Sequence, residues 1–534
     1  MASKEPSTKP SRLDFYPFAY ALYNEELDTR CWYCLDDKEG LRHCTGCGVA
    51  FFCDKSCQSL AWKDHKAECK AIAAHRYVAN IEVRLLGRIV ARFKDITKGR
   101  DRKDPTFCEN RTSKRSIMEI WSHAQHIKND ENALRKFEEI YENLVKYFDE
   151  KFLLPKEAIF ELHCRDFINR HAISDRGYLK EIGKGLYLDL CAYDHSCAPN
   201  TIYTCKGFTA TLRALNNSVN LLDRSKTFYS YIEVFSTKQQ RRKMLQDTWY
   251  FHCECTRCVD NEDHILTAMK CPFCPEGVET RLAVFGQQPY KDKKTQILTC
   301  PECKKEIPQH NVMEHIHAMR FVEDIFARKE VEQVRFAITQ LKSHHSLSSA
   351  LSKDQSVLLQ TDTGTINKLG ALLHSGVKAL IPLIELDNAS KLLFLHEEVE
   401  ECLRICFPHA HPAVAFHLRN TGIFHKTLKH FTTARKYFEE AQNILDYTLD
   451  ADHPMALENK QFLKEIESEL SEGQEVLEQI NEVLEKNEDQ KTEISEDKEN
   501  ADSNQEENKD KTLNMNAISD MLEEEFGEMP ELLS

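Results

Sequence analysis

The order of the cysteines constrains this chain more than any other feature. Between Cys31 and Cys69 it runs C-x2-C-x9-C-x2-C-x5-C-x3-C-x7-H-x3-C, through Cys31, Cys34, Cys44, Cys47, Cys53, Cys57, His65 and Cys69. So short a segment cannot assemble a hydrophobic core of its own, and metal binding must supply its folding free energy. Zinc takes four thiolate or imidazole donors in a tetrahedron, and a C-x2-C turn places two thiolates on one ion with little strain. Eight donors make two sites. The interleaved order of other paired zinc modules assigns Cys31, Cys34, Cys53 and Cys57 to one ion, and Cys44, Cys47, His65 and Cys69 to the second.

Two more clusters follow. Cys253, Cys255 and Cys258 form C-x-C-x2-C, one thiolate short of a closed structural site. Cys271, Cys274, Cys300 and Cys303 have the spacing of a zinc ribbon; four thiolates leave no position for a reactive water, so its role is structural. The chain has 21 cysteines, and the polar stretch from Met1 to Ser11 has no apolar core behind a basic start. Metal rather than disulfide chemistry is therefore expected. The longest apolar runs, such as Ala379 to Leu386, fall far short of the roughly 20 residues that span a bilayer. Neither secretion nor membrane insertion is indicated.

At 534 residues the chain exceeds one ordinary core, and its net charge of -15 is unevenly placed. From residue 471 on, acidic residues dominate, and the body before it is close to neutral. The 471–534 segment reads as a disordered acidic tail, ending in a helical apolar spacing at Ile518, Met521, Leu522 and Phe526. Upstream, Val414, Phe416, Leu418 and Leu428, then Phe431, Ala434, Phe438, Ala441 and Leu445, predict a helix pair bracketed by His411-Pro412 and His453-Pro454. This suggests tetratricopeptide-like repeats over 311–470.

The 31–69 segment closely resembles a MYND finger, including Gln58 and Trp62 on the helix leading to the last ligands. Asp194-His195-Ser196-Cys197-Ala198-Pro199-Asn200 resembles the Asn-His-Ser-Cys-x-Pro-Asn signature of SET domains, whose cysteine completes the post-SET zinc. By that resemblance Cys197 joins Cys253, Cys255 and Cys258. Lys206-Gly207 through Leu212-Arg213-Ala214 is similar to the strand pair that follows the signature, and Tyr229 to Glu233 to the strand bearing the catalytic tyrosine. The chain thus resembles the SET and MYND family of protein-lysine methyltransferases from about Ser11 to Leu470.

The resemblance implies an α+β multidomain architecture: a β-rich SET core split by the finger and threaded through itself near Cys197, with a post-SET zinc site. The zinc ribbon, an all-α tetratricopeptide-like lobe and the tail complete it. The expected boundaries are an N-terminal SET segment at 1–30, the finger at 31–69 and a helical insert at 70–165. The SET core follows at 166–235, post-SET at 236–262, ribbon at 263–310, lobe at 311–470 and tail at 471–534. Four zinc ions are expected: two in the finger, one post-SET and one in the ribbon.

The implied reaction moves a methyl group from S-adenosylmethionine to a lysine amine of a histone or other protein, in nucleus and cytoplasm. Tyr231 matches the catalytic tyrosine, and His123 and His195 match cofactor contacts. The sequence departs from the pattern at several points. No glycine precedes Gly40, so the family's Gly-x-Gly-Leu turn ahead of the finger has no counterpart. Asp194 stands for asparagine, Asn169-Arg170-His171-Ala172 for Asn-x-Asn before a small residue, and Trp249 for a second active-site tyrosine. Asp194, Asn169, His171 and Trp249 are accordingly candidate cofactor contacts.

A silent zinc-braced adaptor is the alternative, holding partners through the helical lobe and the finger near Trp62, a face that binds proline-containing peptides in other MYND fingers. DNA contact through Lys55, Lys63 and Lys66 is the weakest reading, since three lysines on a small domain form an ordinary solvated face.

Overall fold

The computed structural model describes residues 10–99, 115–176, 181–236, 238–259, 268–274, 281–283, 298–313 and 403–474, together with Leu393, His396, Glu397 and Glu400. The tail beyond 474, with Ile518, Met521, Leu522 and Phe526, lies outside them, as does most of 311–402. The expectations for these segments are not addressed by the structure.

Two short strands, β1 (Arg12–Phe15) and β2 (Ala19–Leu22), precede the finger. The finger contains the small ladder β3 (Arg42–His43) and β4 (Phe51–Phe52), then helix α1 (Lys55–His75). Asp54 caps α1 by accepting the Cys57 amide at 2.8 Å. His65 and Cys69, four residues apart, share one face of this helix. Helices α2 (Ile81–Thr97), α3 (Ala124–Asn129), α4 (Glu131–Tyr147) and α5 (Lys156–Asn169) form the insert.

Strands β5 (Arg170–Ser174) and β6 (Glu181–Leu186) then extend the sheet begun by β2, in the antiparallel order β2-β6-β5. The two-residue β7 (Asp194–His195) is followed by the hairpin β8 (Thr201–Lys206) and β9 (Thr209–Ala214), turned at Gly207-Phe208. β1 pairs with β9, Arg12 opposite Arg213, giving the order β1-β9-β8. The strands before the finger therefore close sheets with strands far downstream. Gly183 permits this: a Cβ there would sit 2.3 Å from the Ala21 carbonyl oxygen across the ladder.

β10 (Phe228–Tyr229) runs parallel to β7 with Tyr229 opposite His195. The strand expected to carry Tyr231 ends at Tyr229. Ser230 Oγ accepts the Ile232 amide, and the Tyr231 amide is taken by a side chain instead of a ladder partner, so the chain turns at Tyr231. Helix α6 (Lys238–Trp249) leads to Cys253, Cys255 and Cys258. In the helical lobe, α7 (Pro412–Thr427) and α8 (Phe431–Thr448) form the pair expected from the sequence. Val414, Phe416, Leu418, Ala434, Phe438, Ala441 and Leu445 are all buried. The repeated His-Pro has a structural meaning: His411 Nδ1 accepts the Ala413 amide at 3.1 Å and His453 Nδ1 the Met455 amide at 3.2 Å, the same cap on successive helical stretches. Among the described residues no helix is long and apolar enough to cross a membrane.

The finger and the sheet are joined by a row of arginines. Arg84, Arg88 and Arg92, one turn apart on α2, donate to the Leu22, Tyr20 and Phe18 carbonyls at 2.5, 2.6 and 2.6 Å. Their guanidinium groups lie over the rings of Trp32, Tyr20 and Phe18. Arg88 also forks onto Glu68 of α1, at 2.9 and 2.8 Å, with both side chains buried. Burial alone would raise the Glu68 pKa, but Arg88 outweighs it and lowers the group from its ordinary 4.5 to about 2. This stabilisation is complete above the ordinary carboxylate range and is lost as pH falls toward 2. Arg88→Met, which strands the buried Glu68 carboxylate, should cost about 3–5 kcal/mol at neutral pH. The deficit should shrink as pH falls below 4.5. Equal melting of the two proteins at pH 7 would refute the assigned role.

Candidate active site and metal clusters

Four donor groups come together among the described residues: Cys31, Cys34, Cys53 and Cys57; Cys44, Cys47, His65 and Cys69; Cys197, Cys253, Cys255 and Cys258; and Cys271, Cys274, Cys300 and Cys303. Within each, the ligand atoms all lie within 4.8 Å of one another. Cys34 and Cys53 sulfurs are 3.5 Å apart, Cys44 and Cys69 3.8 Å, Cys197 and Cys253 3.9 Å, and Cys274 and Cys300 3.6 Å. A disulfide needs about 2.05 Å, whereas a tetrahedron with zinc–sulfur arms of about 2.3 Å has edges of roughly 3.8 Å. The donor sets therefore fit zinc. In the second group His65 turns Nε2 to Cys47 at 3.6 Å, and its Nδ1, without a hydrogen bond, lies 3.9 Å from the Glu68 carboxylate.

Residues packed against the third group, among them Tyr231, Trp249 and Phe251, line a cavity of about 1030 Å³. Its walls include His123, Asn169, His171, Asp194, His195, Tyr231 and Trp249, brought together from the insert, the sheets and α6. His123 precedes α3 with a φ of 47°, in the left-handed region, and its ring stacks on Trp121, which stands 77% exposed beside the cavity. Asn169 spends its amide nitrogen on the carbonyls of Trp121 and Arg165, at 2.7 and 2.8 Å, so it offers a ligand only an acceptor.

His171 is buried, and burial pushes its pKa down to about 4; its Nε2 meets the Tyr229 hydroxyl at 2.7 Å. Burial likewise lowers His195 to about 4. Both imidazoles are neutral at physiological pH. The Tyr231 hydroxyl donates to the Tyr193 carbonyl at 2.8 Å, and burial, then Asp194, push its pKa up, keeping it a phenol. Trp249 donates Nε1–H to the Ile168 carbonyl at 2.8 Å and sets its ring 5.5 Å from that of Tyr231. Tyr250, in the left-handed region at a φ of 59°, turns away and donates to Asp130 at 3.3 Å.

Several wall residues escaped the sequence reading. Tyr229 could have been found, since residues two apart along a strand share a face and Tyr231 was already a candidate. Nothing local marks Tyr203, Arg115 or Arg224. Phe407 and His411 come from the helical lobe, which no spacing connects to the cavity.

The family model for the MYND finger matches residues 31–69. The chain is similar to N-lysine methyltransferase SMYD2-A of Danio rerio, with 25% identity over 472 residues, 85% of this chain and 91% of the relative. It is similar to Histone-lysine N-methyltransferase SMYD3 of Mus musculus, at 24% identity over 82% of this chain and 88% of the relative. With SMYD3 of Homo sapiens the identity is 29%, over 47% of this chain and 57% of that one.

From the four donor groups, the purified chain should carry four zinc ions by elemental analysis. Cys197→Ser should retain three. An unchanged count in that variant would contradict a site at the third group.

Proposed function

The chain belongs to the SET and MYND lysine methyltransferases, and from this premise we propose that its cavity transfers a methyl group from S-adenosylmethionine to a lysine of a histone or other protein. The observation that carries the reading is the meeting of Tyr231 with all six candidate cofactor contacts on one cavity beside the Cys197 group. The cavity's volume and its mixture of aromatic and polar walls suit a ligand of this size. His123, Asn169, His171, Asp194, His195 and Trp249 would surround the cofactor, which supplies a methyl group activated on a cationic sulfur.

A free lysine has a pKa near ~10.4, so the site must present its amine neutral and shielded from water. Aromatic walls from Tyr203, Tyr229, Tyr231 and Trp249 exclude water. The Tyr231 hydroxyl, its proton directed to the Tyr193 carbonyl, turns oxygen lone pairs toward the reacting region, where they favour the positive charge carried through transfer. Asp194 adds a carboxylate to the same wall. Neutral His171 and His195 add no opposing charge. The finger, with Trp62 44% exposed on α1, would hold proline-containing peptides of partners, and the protein would work in nucleus and cytoplasm.

Trp249 in place of a tyrosine, Asp194 in place of an asparagine and His171 at a cofactor contact favour one other reading, an adaptor without transfer activity. Calorimetric titration of S-adenosylmethionine into the zinc-loaded full chain separates the two. Micromolar binding is expected, with Tyr231→Phe keeping the affinity and lowering kcat about 10²-fold. Absence of heat at millimolar cofactor, in folded protein, would support the adaptor.

A further inference from the structure

His195 is the point where the third metal group meets the candidate catalytic residue. The Tyr231 backbone N–H lies 3.1 Å from His195 Nδ1. An amide can only donate, so Nδ1 is the bare nitrogen and the single proton of the neutral ring sits on Nε2. That Nε2 lies 3.2 Å from Cys197 Sγ, a buried sulfur that is a thiolate when it ligates metal. The ring is held against Tyr231 at 5.3 Å and Phe251 at 6.1 Å. Both ring nitrogens are thus engaged within the protein, and a cofactor could meet only the ring's face or the backbone.

A second tie runs alongside. Arg257, between ligands Cys255 and Cys258, donates through one nitrogen to the carbonyls of Cys197 at 3.3 Å, Val234 at 2.9 Å and Cys406 at 3.1 Å. The segment that follows Tyr231 is therefore fastened to the metal loop from both sides.

We infer that His195 is a positioning residue that couples the Cys197, Cys253, Cys255 and Cys258 metal site to Tyr231, donating from Nε2 to the Cys197 thiolate while Nδ1 holds the Tyr231 amide. The N–H···S bond partly neutralises the thiolate charge in a tetra-anionic donor set, so it strengthens ion retention. The same ring fixes the backbone that aims the Tyr231 hydroxyl. The metal half of this role stands without any transfer reaction; only its consequence for turnover rests on the proposed function.

Two substitutions divide the imidazole. His195→Gln keeps an N–H near the Nε2 position and loses the acceptor, and His195→Asn keeps an acceptor near Nδ1 and loses the donor to sulfur. The measurement is chelator-driven zinc release from the full chain. His195→Asn should release one of its ions about 10-fold or more faster than wild type, in line with the loss of a partner to a metal ligand. His195→Gln should release all ions at the wild-type rate, and the fast phase of His195→Asn should vanish in a Cys197→Ser background. The unaffected ions in each variant report that the rest of the chain is folded. Equal release from all three proteins, equal lability of both variants, or lability spread over every site would overturn the inference. Where wild type methylates, His195→Gln should lower kcat at saturating S-adenosylmethionine; where it does not, the proposed function fails and the zinc-release result stands.

Discussion

The buried pair of Glu68 and Arg88 holds the two halves of the molecule's front together. Glu68 belongs to the helix that delivers His65 and Cys69 to the finger's second metal group, and Arg88 to the helix packed under β2. Taking both charges out of water is unfavourable by several kcal/mol per ion, and the pair persists because each guanidinium nitrogen and both carboxylate oxygens are engaged. The Arg88 fork takes both carboxylate oxygens, and its remaining nitrogen takes the Tyr20 carbonyl. Arg84 and Arg92 repeat the last contact one turn to either side. In effect the helix substitutes for a neighbouring strand along β2, and that edge carries no unpaired carbonyl at these three positions.

With β2 held there, the sheet β2-β6-β5 and its companion β1-β9-β8 can carry a cavity whose walls come from distant parts of the chain. The insert provides His123 and Asn169, the strands provide His171, Asp194 and Tyr203, and α6 provides Trp249. The helical lobe adds Phe407 and His411. It is fastened by Arg257 at Cys406 and, on the far side, by Asp450 to Arg12 and Arg213 and by Asp452 to Arg176 and Lys206. The Asp452 pairs are largely exposed and screened, so they orient the lobe more than they stabilise it, whereas Arg213 is buried where it meets Asp450. Desolvation and directed hydrogen bonds set the chemistry within the cavity: neutral imidazoles, a tyrosine kept protonated and a tryptophan pinned by its N–H.

The metal groups could be read along the chain because chelation is a local problem. A C-x2-C turn suits one ion whatever surrounds it, although in the folded chain Trp32, Leu35 and Phe52 of the finger also pack into the main core. The helix pair at Val414 to Leu445 was legible for a similar reason, since amphipathic periodicity is a property of each helix alone. Other assignments needed more than spacing. Cys197 was attached to Cys253, Cys255 and Cys258 by resemblance, and the candidate cavity residues were placed by matched motifs.

What only tertiary structure decided concerns burial and direction. Arg84, Arg88 and Arg92 are buried, because β2 and the residue before it offer carbonyls that need donors. His195 reads as a cofactor contact by position, and its hydrogen bonds turn it toward the Cys197 sulfur and the Tyr231 amide. Tyr231 lies beyond its strand because a side chain takes its amide in place of the ladder. Sequence determined which residues could bind metal and which helices had an apolar face, since both follow from neighbours a few positions apart. Which polar groups are dry, and which way each imidazole and guanidinium points, depends on partners dozens to hundreds of residues away, and only the folded chain brings those together.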